Sequence, residues 1–327
     1  MSLAKGGGLE FEQPVLALDQ KIAEMRILAA ENGLDLESEI ARLDKKREQL
    51  LAKSQQKMTA WNRVEIARRQ GRPYALDHIQ ASFTDFVELH GDRAFADDPA
   101  IVAGFARLEG IPVCVVAHQK GKDTRENIHR NFGMPHPEGY RKALRVMKLA
   151  ERFGRPVICL VDTPGAFPGI GAEERGQAQA IAENILEMSL LKVPVIVAVL
   201  GEGASGGALG IGVGDRLLMF ENSWYCVISP EGCAAILWGD RLKAREVADQ
   251  MKLTGRDLLE LGLIDRVVEE PAGGAHWRPE AACASLKTAL LEELSALREI
   301  PGDELVHSRM ERYARVGVFL EGARRGS

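Results

Sequence analysis

The segment PVIVAVLGEGASGGALGIG, residues 194–212, places Gly206 and Gly207 shortly after an unbroken apolar run. The run 195–200 is rich in β-branched residues and reads as a buried strand; Gly201 and Gly203 break it, and a helix starts near Ser205. Glycine has no Cβ, so another molecule can approach the backbone N–H groups of Gly206 and Gly207 closely. At a helix start those groups lack intrahelical acceptors and sit at the positive end of the helix dipole. The chemistry on offer is binding of an anion, or stabilisation of an oxyanion that develops during a reaction. A second corner, VDTPGAFPG at 161–169, follows another apolar run and centres on Pro164, Gly165 and Ala166.

Each corner has a rival reading. The DxxG turn at 162–165 is used by GTPases, but that reading needs a GxxxxGK[ST] loop upstream, and Gly121 and Lys122 are followed by Asp123. GASGG at 203–207 also satisfies GxSxG, the nucleophile elbow of α/β-hydrolases, with Asp265 and His276 downstream in the matching order. Asp and His follow almost any serine in a chain this long, and His276 sits in a segment that reads as a surface loop, so Ser205 is read as a small residue at a helix start. The stretch QKGKDTRENIHRNFGMPHPEGYRK gathers Lys120, Lys122, Arg125, His129, Arg130, His136, Arg141 and Lys142. In an otherwise acidic chain it reads as a loop that recognises phosphate or carboxylate rather than as merely solvated. The histidines there lack a metal-ligand pattern, so no metal is expected. VMKL at 146–149 nearly matches a biotin-attachment site but lies in a helical run.

The elements that must carry these corners alternate. Residues 11–70 are charged and helical, with Val15, Leu18, Ile22 and Met25 in one apolar stripe and Leu36, Ile40, Leu43 and Leu50 in a second beyond Asn32 and Gly33. This predicts a helical hairpin arm over 1–70, folded on its own domain or contacting another subunit. Beyond it, 101–108 and 113–118 flank Glu109 and Gly110 as a hairpin, followed by a loop over 119–137. Helices over 138–153 and 173–191 alternate with strands at 157–161, 195–200, 216–220 and 225–228, and Pro230 opens another helix. Repeated strand–turn–helix units predict an α/β domain over 71–300 with a largely parallel sheet, both corners at the carboxyl ends of strands, and a tail at 301–327.

Composition narrows the class. The 327 residues carry a net charge of -5 with pI near 5.9, so nothing global favours nucleic acid as a partner. The five cysteines show no CxxC spacing, and Cys114 and Cys159 lie in apolar runs, which predicts reduced buried thiols. No apolar run approaches the ~20 residues of a bilayer span and the first residues lack a signal peptide's apolar stretch. A cytoplasmic protein, neither secreted nor in a membrane, is expected.

Four segments together resemble one family: ARLEGIPVCVVAHQKGKDTRENIHRNFGMPHPEGYRKALR, VDTPGAFPGIGAEERGQAQAIAENI, PVIVAVLGEGASGGALGIGVGD and WYCVISPEGCAAILW. They are similar, in order, to the alpha subunits of bacterial acetyl-CoA carboxylase carboxyltransferases, from the N-terminal helices to about residue 300. The resemblance implies a crotonase-like (ClpP/crotonase superfamily) fold with repeated ββα units. It implies a beta subunit that carries a zinc ribbon and most of the acyl-CoA site, an alpha2 beta2 assembly, and a larger complex with biotin carboxylase and the biotin carboxyl carrier protein. The activity implied is transfer of a carboxyl group from carboxybiotin, borne by that separate carrier, to acetyl-CoA, forming malonyl-CoA for fatty-acid synthesis.

That reaction develops negative charge on the biotin ureido oxygen and on the thioester oxygen of an enolate. Two oxyanions call for two sets of donors, and one backbone donor of this kind is typically worth ~3 kcal/mol of barrier. The leaving ureido anion can take the methyl proton itself, so no side-chain base is required. By resemblance, Gly206 and Gly207 supply the hole on the biotin side. Pro164, Gly165 and Ala166 shape the adjacent wall; Gly203 and Ser205 are expected beside it as substrate-binding residues, and Lys120, Lys122 and Arg125, read from the charge of their loop, are expected to bind the substrate's anionic groups. Ala204 stands where many relatives carry glycine, which leaves the corner usable unless that position needs a positive φ. Two other classes compete: a serine hydrolase or peptidase of crotonase-like or α/β-hydrolase type acting through Ser205, and a non-catalytic assembly scaffold.

Overall fold

Alternation of apolar side chains builds the centre of the molecule. In the computed structural model, which describes residue 9 and residues 12–317, eight strands form one sheet: β1 (Thr84–Glu88), β2 (Ile101–Leu108), β3 (Ile111–His118), β4 (Val157–Thr163), β5 (Val195–Ala204), β6 (Arg216–Phe220), β7 (Trp224–Cys226) and β8 (Arg266–Val268). The order is β1-β2-β3-β4-β5-β6-β8, with β7 paired to the end of β5. The pairs from β3 to β8 are parallel, and the two at the β1 edge are antiparallel. Glu109 and Gly110 close the predicted β2–β3 hairpin with φ of 48 and 77°, the positive values of a primed turn.

Every residue of β4 and β5 is buried, so successive side chains enter two different cores. Ile158, Leu160, Ile196, Ala198 and Leu200 face helices Ala75–Ser82 and Pro279–Leu297. Val157, Cys159, Val161, Val195, Val197 and Val199 face helices Pro137–Arg152 and Gln177–Leu190. The result is three layers, helices on both faces of a mostly parallel sheet. Cys114 and Cys159 lie in the second core, and burial pushes the Cys159 thiol up to about 12.

Within the expected arm, helices Gln13–Asn32 and Glu37–Gln56 are reversed through Gly33 at φ 63° and crossed by Arg47–Asp19 (3.0 Å) and Arg26–Asp44 (3.3 Å) pairs. Its base is fastened to the sheet domain, with Glu12 against His276 at 2.8 Å. Helix Ala60–Ala67 then returns the chain to the carboxyl end of β5. Residues 1–8 and 10–11 of the arm and 318–327 of the tail lie outside the described residues. Within the expected tail, Gly302–Ala314 is a helix whose Leu305 and Arg309 are buried against the domain.

Three local expectations change. β5 does not stop at Gly201; it continues to Ala204, because Gly201 serves close approach rather than chain reversal, a Cβ there falling 2.8 Å from Asp162 Oδ1 and 3.0 Å from the Ala67 carbonyl. The loop 119–137 contains a helix, Thr124–His129, capped by Asp123, which accepts from Glu126 N–H at 2.8 Å. The helix expected over 173–191 is split into Ile170–Glu174 and Gln177–Leu190 by Gly176 at φ 81°.

Candidate active site

Parallel pairing puts the ends of β4 and β5 side by side, so the two glycine corners leave the sheet as neighbours. After β5 the chain enters the short helix Ser205–Leu209, in which Gly206 is half-buried and Gly207 buried. As second and third residues of the helix, their N–H groups have no intrahelical acceptor. The corner after β4 packs directly on Gly207: a Cβ there would lie 2.4 Å from Gly165 C and 2.5 Å from Ala166 N. Only glycine permits that approach. At Gly206 a Cβ would meet only Ile181 at 3.6 Å, an ordinary contact.

Both corners are held from below. Thr163 Oγ1 donates to Gly165 O at 2.7 Å and accepts from Gly165 N–H at 3.1 Å, fixing a turn in which Gly165 takes φ 145°. Gln177 Nε2 donates to the Phe167 and Pro135 carbonyls, and His136 stacks on Phe167 at 4.1 Å. Beneath the other corner, Tyr140 Oη donates to Gly207 O at 3.2 Å and Asn184 Nδ2 to Gly210 O at 2.8 Å. His118, fully buried, lies close by Gly207; burial and then the charge of Lys120 push it down to about 3, so it is neutral across the working range.

The positive backbone angle falls on Ser205 (φ 58°), not on Ala204, which is extended at φ -104°. Alanine at 204 therefore costs nothing in backbone strain. Ser205 is exposed, but the groups a hydrolase needs are engaged elsewhere: His276 with Glu12, and Asp265 with Arg312 and the Leu217 N–H. The hydrolase constellation is not assembled.

The basic stretch divides. Lys120 is only 8% exposed and turns inward, its Nζ donating to Asp162 Oδ1 at 2.7 Å and Glu202 Oε2 at 2.8 Å. Burial alone disfavours its charge, but the two carboxylates outweigh that and hold the ammonium above the usual lysine range. Glu202 also accepts from Arg68 Nε at 2.6 Å, and Arg68 reaches on to Glu231. Although burial favours its neutral form, the nearby Lys120 and Arg68 keep Glu202 below the usual carboxylate range. Lys142 and Arg141 are likewise spent on Asp97 and Asp92. Lys122 (paired with Asp77 at 2.5 Å) and Arg125 stay at the surface, and Arg125 makes no ion pair among the described residues. Sequence reasoning missed Arg68, Asp162, Glu202, Glu231 and Tyr140. The available signal was an acid near the end of each wholly apolar strand, since a buried carboxylate requires a partner.

An open, mostly parallel α/β sheet with two abutting glycine corners at its carboxyl edge fits the crotonase-like fold that the sequence resemblance implies. Solved structures bear out the fold: the chain matches transcarboxylase 12S at TM-score 0.53 and 21% identity, over 80% of this chain and 45% of that one. It also matches a Pseudomonas malonate decarboxylase hetero-tetramer at TM-score 0.53 and 20% identity, over 66% of this chain and 88% of that one. Residues 8–317 match the family described as acetyl co-enzyme A carboxylase carboxyltransferase-like. The chain belongs to that family. It is 54% identical over 313 residues to the acetyl-coenzyme A carboxylase carboxyl transferase subunit alpha of Thermus thermophilus, covering 96% of this chain and 99% of the relative. The subunit of the same name from Bacillus velezensis is 53% identical over 94% of this chain and 95% of its own length.

Proposed function

We propose that the chain is the alpha subunit of an acetyl-CoA carboxylase carboxyltransferase and, with a beta subunit, transfers a carboxyl group from carboxybiotin to acetyl-CoA in the cytoplasm. The observation that carries the reading is the placement of Gly206 and Gly207 in the first turn of helix Ser205–Leu209, where backbone N–H groups lack intrahelical acceptors, packed against the Gly165 and Ala166 turn. In the reaction the N–CO2 bond of carboxybiotin breaks, and the negative charge left on the ureido oxygen is received by these donors. The ureido anion takes a methyl proton of acetyl-CoA, and the enolate carbon forms the new bond to the released carboxyl carbon, giving malonyl-CoA. Backbone donors suit this role because they neither titrate nor reorganise. Pro164, Gly165, Ala166, Gly203 and Ser205 form the wall, and Lys122 and Arg125 are the surface cations available to the anionic groups of the substrates.

The division into arm (1–70), transferase domain (71–300) and tail (301–327) belongs to the same proposal. A partner is also favoured by Val227, Ile236, Leu237 and Leu242, which are 75, 75, 61 and 90% exposed around helix Pro230–Trp238. So much apolar surface in one short stretch marks a contact with another chain. The partners proposed are the beta subunit in an alpha2 beta2 assembly, the biotin carboxyl carrier protein and biotin carboxylase. Mixing the purified chain with the beta subunit and assaying malonyl-CoA formation from acetyl-CoA and a carboxylated biotin derivative tests the reading. Activity is expected only in the mixture; full turnover by the single chain refutes the shared site.

A further inference from the structure

The register between β4 and β5 slips immediately before the two corners. From Val157↔Val195 to Val161↔Val199 the strands advance together, but the next partners are Thr163↔Gly203, so two steps along β4 are matched by four along β5. A regular parallel ladder cannot bridge that mismatch, and the backbone groups inside it need other partners. Side chains supply them. Asp162 Oδ1 accepts the Glu202 N–H at 2.9 Å, and Lys120 Nζ, from the residues just past β3, donates to Asp162 and to Glu202. One ammonium thus ties together the carboxyl ends of three adjacent strands, at a point where Lys120, Asp162 and Glu202 are 8, 3 and 6% exposed. The fit leaves no slack: a Cβ on Gly133 would fall 2.7 Å from Lys120 Cγ, and one on Gly201 2.8 Å from Asp162 Oδ1.

We propose that Lys120, with Asp162 and Glu202, is a positioning device that sets the course of β5 beyond the slip and thereby holds the Gly206 and Gly207 N–H groups against the Gly165 and Ala166 turn. Glu202 lies four residues before Gly206 and Asp162 three before Gly165, so the clamp acts where the Thr163 turn and the short β5–β7 pairing over Glu202–Ala204 begin to lead into the corners. Arg68 extends it to the end of helix Ala60–Ala67, and Glu231 to the first turn of helix Pro230–Trp238. The catalytic consequence rests on the proposed function; the structural one does not.

Two variants test it. Lys120→Met removes the ammonium and keeps its length, and Glu202→Gln keeps shape while removing one charge and turning one of the two accepting oxygens into a donor that faces Lys120 or Arg68. Amide hydrogen exchange on the full-length chain is expected to quicken about tenfold over residues 200–209, the effect of losing about one hydrogen bond, with 195–199 unchanged. In the complex with the beta subunit, kcat is expected to fall about 100-fold while KM for acetyl-CoA stays within about threefold, as for donors displaced by about 1 Å. Should Lys120→Met not fold, Glu202→Gln carries both readings. Exchange unchanged over 200–209, exchange quickened uniformly across the sheet, or local loosening with unaltered kcat each overturns the positioning role. A wild-type complex that transfers no carboxyl group refutes the proposed function instead, and the exchange result still decides the clamp.

Discussion

Gly207→Ala puts the proposed hole to its most direct test. The added Cβ would lie 2.4 Å from Gly165 C, whereas ordinary contact begins near 3.4 Å, so the corners must part by 3.4 - 2.4 = 1.0 Å. Both obstructing groups are backbone, and the turn they belong to is pinned by Thr163, so no side chain can swing aside. Overpacking of this kind costs about 1–3 kcal/mol of stability, which a domain of this size survives. The catalytic cost is larger in proportion. Displacing an oxyanion donor by ~1 Å is worth about 100-fold, and losing it outright about 100- to 1000-fold, or ~2.7–4 kcal/mol of barrier. Gly206→Ala is the matched comparison: its Cβ meets Ile181 at 3.6 Å, so the backbone need not move and the loss should stay under about tenfold. The assay is steady-state malonyl-CoA formation by the assembled complex, with assembly checked by sedimentation and stability by urea. A Gly207→Ala complex that assembles normally and keeps kcat within about threefold of wild type, or a Gly206→Ala loss larger than that of Gly207→Ala, refutes the assignment of the hole to this contact.

Ser205→Gly should stabilise the chain by about 0.5–1 kcal/mol, because relief of the left-handed strain at φ 58° exceeds the added entropy of the unfolded chain. The same variant should keep carboxyl transfer within about tenfold of wild type; covalent labelling of Ser205 by a fluorophosphonate would revive the hydrolase reading. Stability should also fall in mild acid. Burial holds the His78 imidazole down at about 4 and that of His118 at about 3, against ~6.5 in the unfolded chain. Across pH 6.5 to 4 the unfolded chain binds more protons, so stability is fully present above 6.5 and is lost as pH falls, at about 1.4 kcal/mol per histidine per pH unit. Two histidines over about 1.5 pH units give a loss of about 4 kcal/mol between pH 7 and pH 5 in urea titrations. A midpoint unchanged over that interval would count against these buried neutral rings.

Local patterns read correctly wherever one short-range cause dominates. The apolar runs of β4 and β5, the Glu109 and Gly110 turn, the Gly33 reversal of the arm and the helix opened by Pro230 behind its Ser229 cap are each decided within a few residues. The same local reading failed at Gly201. There the absent side chain admits Asp162 from another strand, and nothing in the residues around 201 announces a carboxylate 39 positions away. It also failed with Lys120, a surface cation by its neighbours in sequence and a buried clamp in space.

By itself, then, the sequence determined that two glycine corners end buried parallel strands, that one of them begins a helix, and which family carries these motifs in this order. Their meeting belonged to the tertiary structure. Only sheet order makes β4 and β5 neighbours, only the two-residue slip brings Gly207 against Gly165 and Ala166, and only the assembled strand ends bring Lys120, Asp162 and Glu202 within hydrogen-bonding distance. The physical reason is range. Propensity and capping act over a few residues, whereas a contact between Gly165 and Gly207, or an ion pair from residue 120 to residue 202, exists only once long-range pairing has closed the sheet.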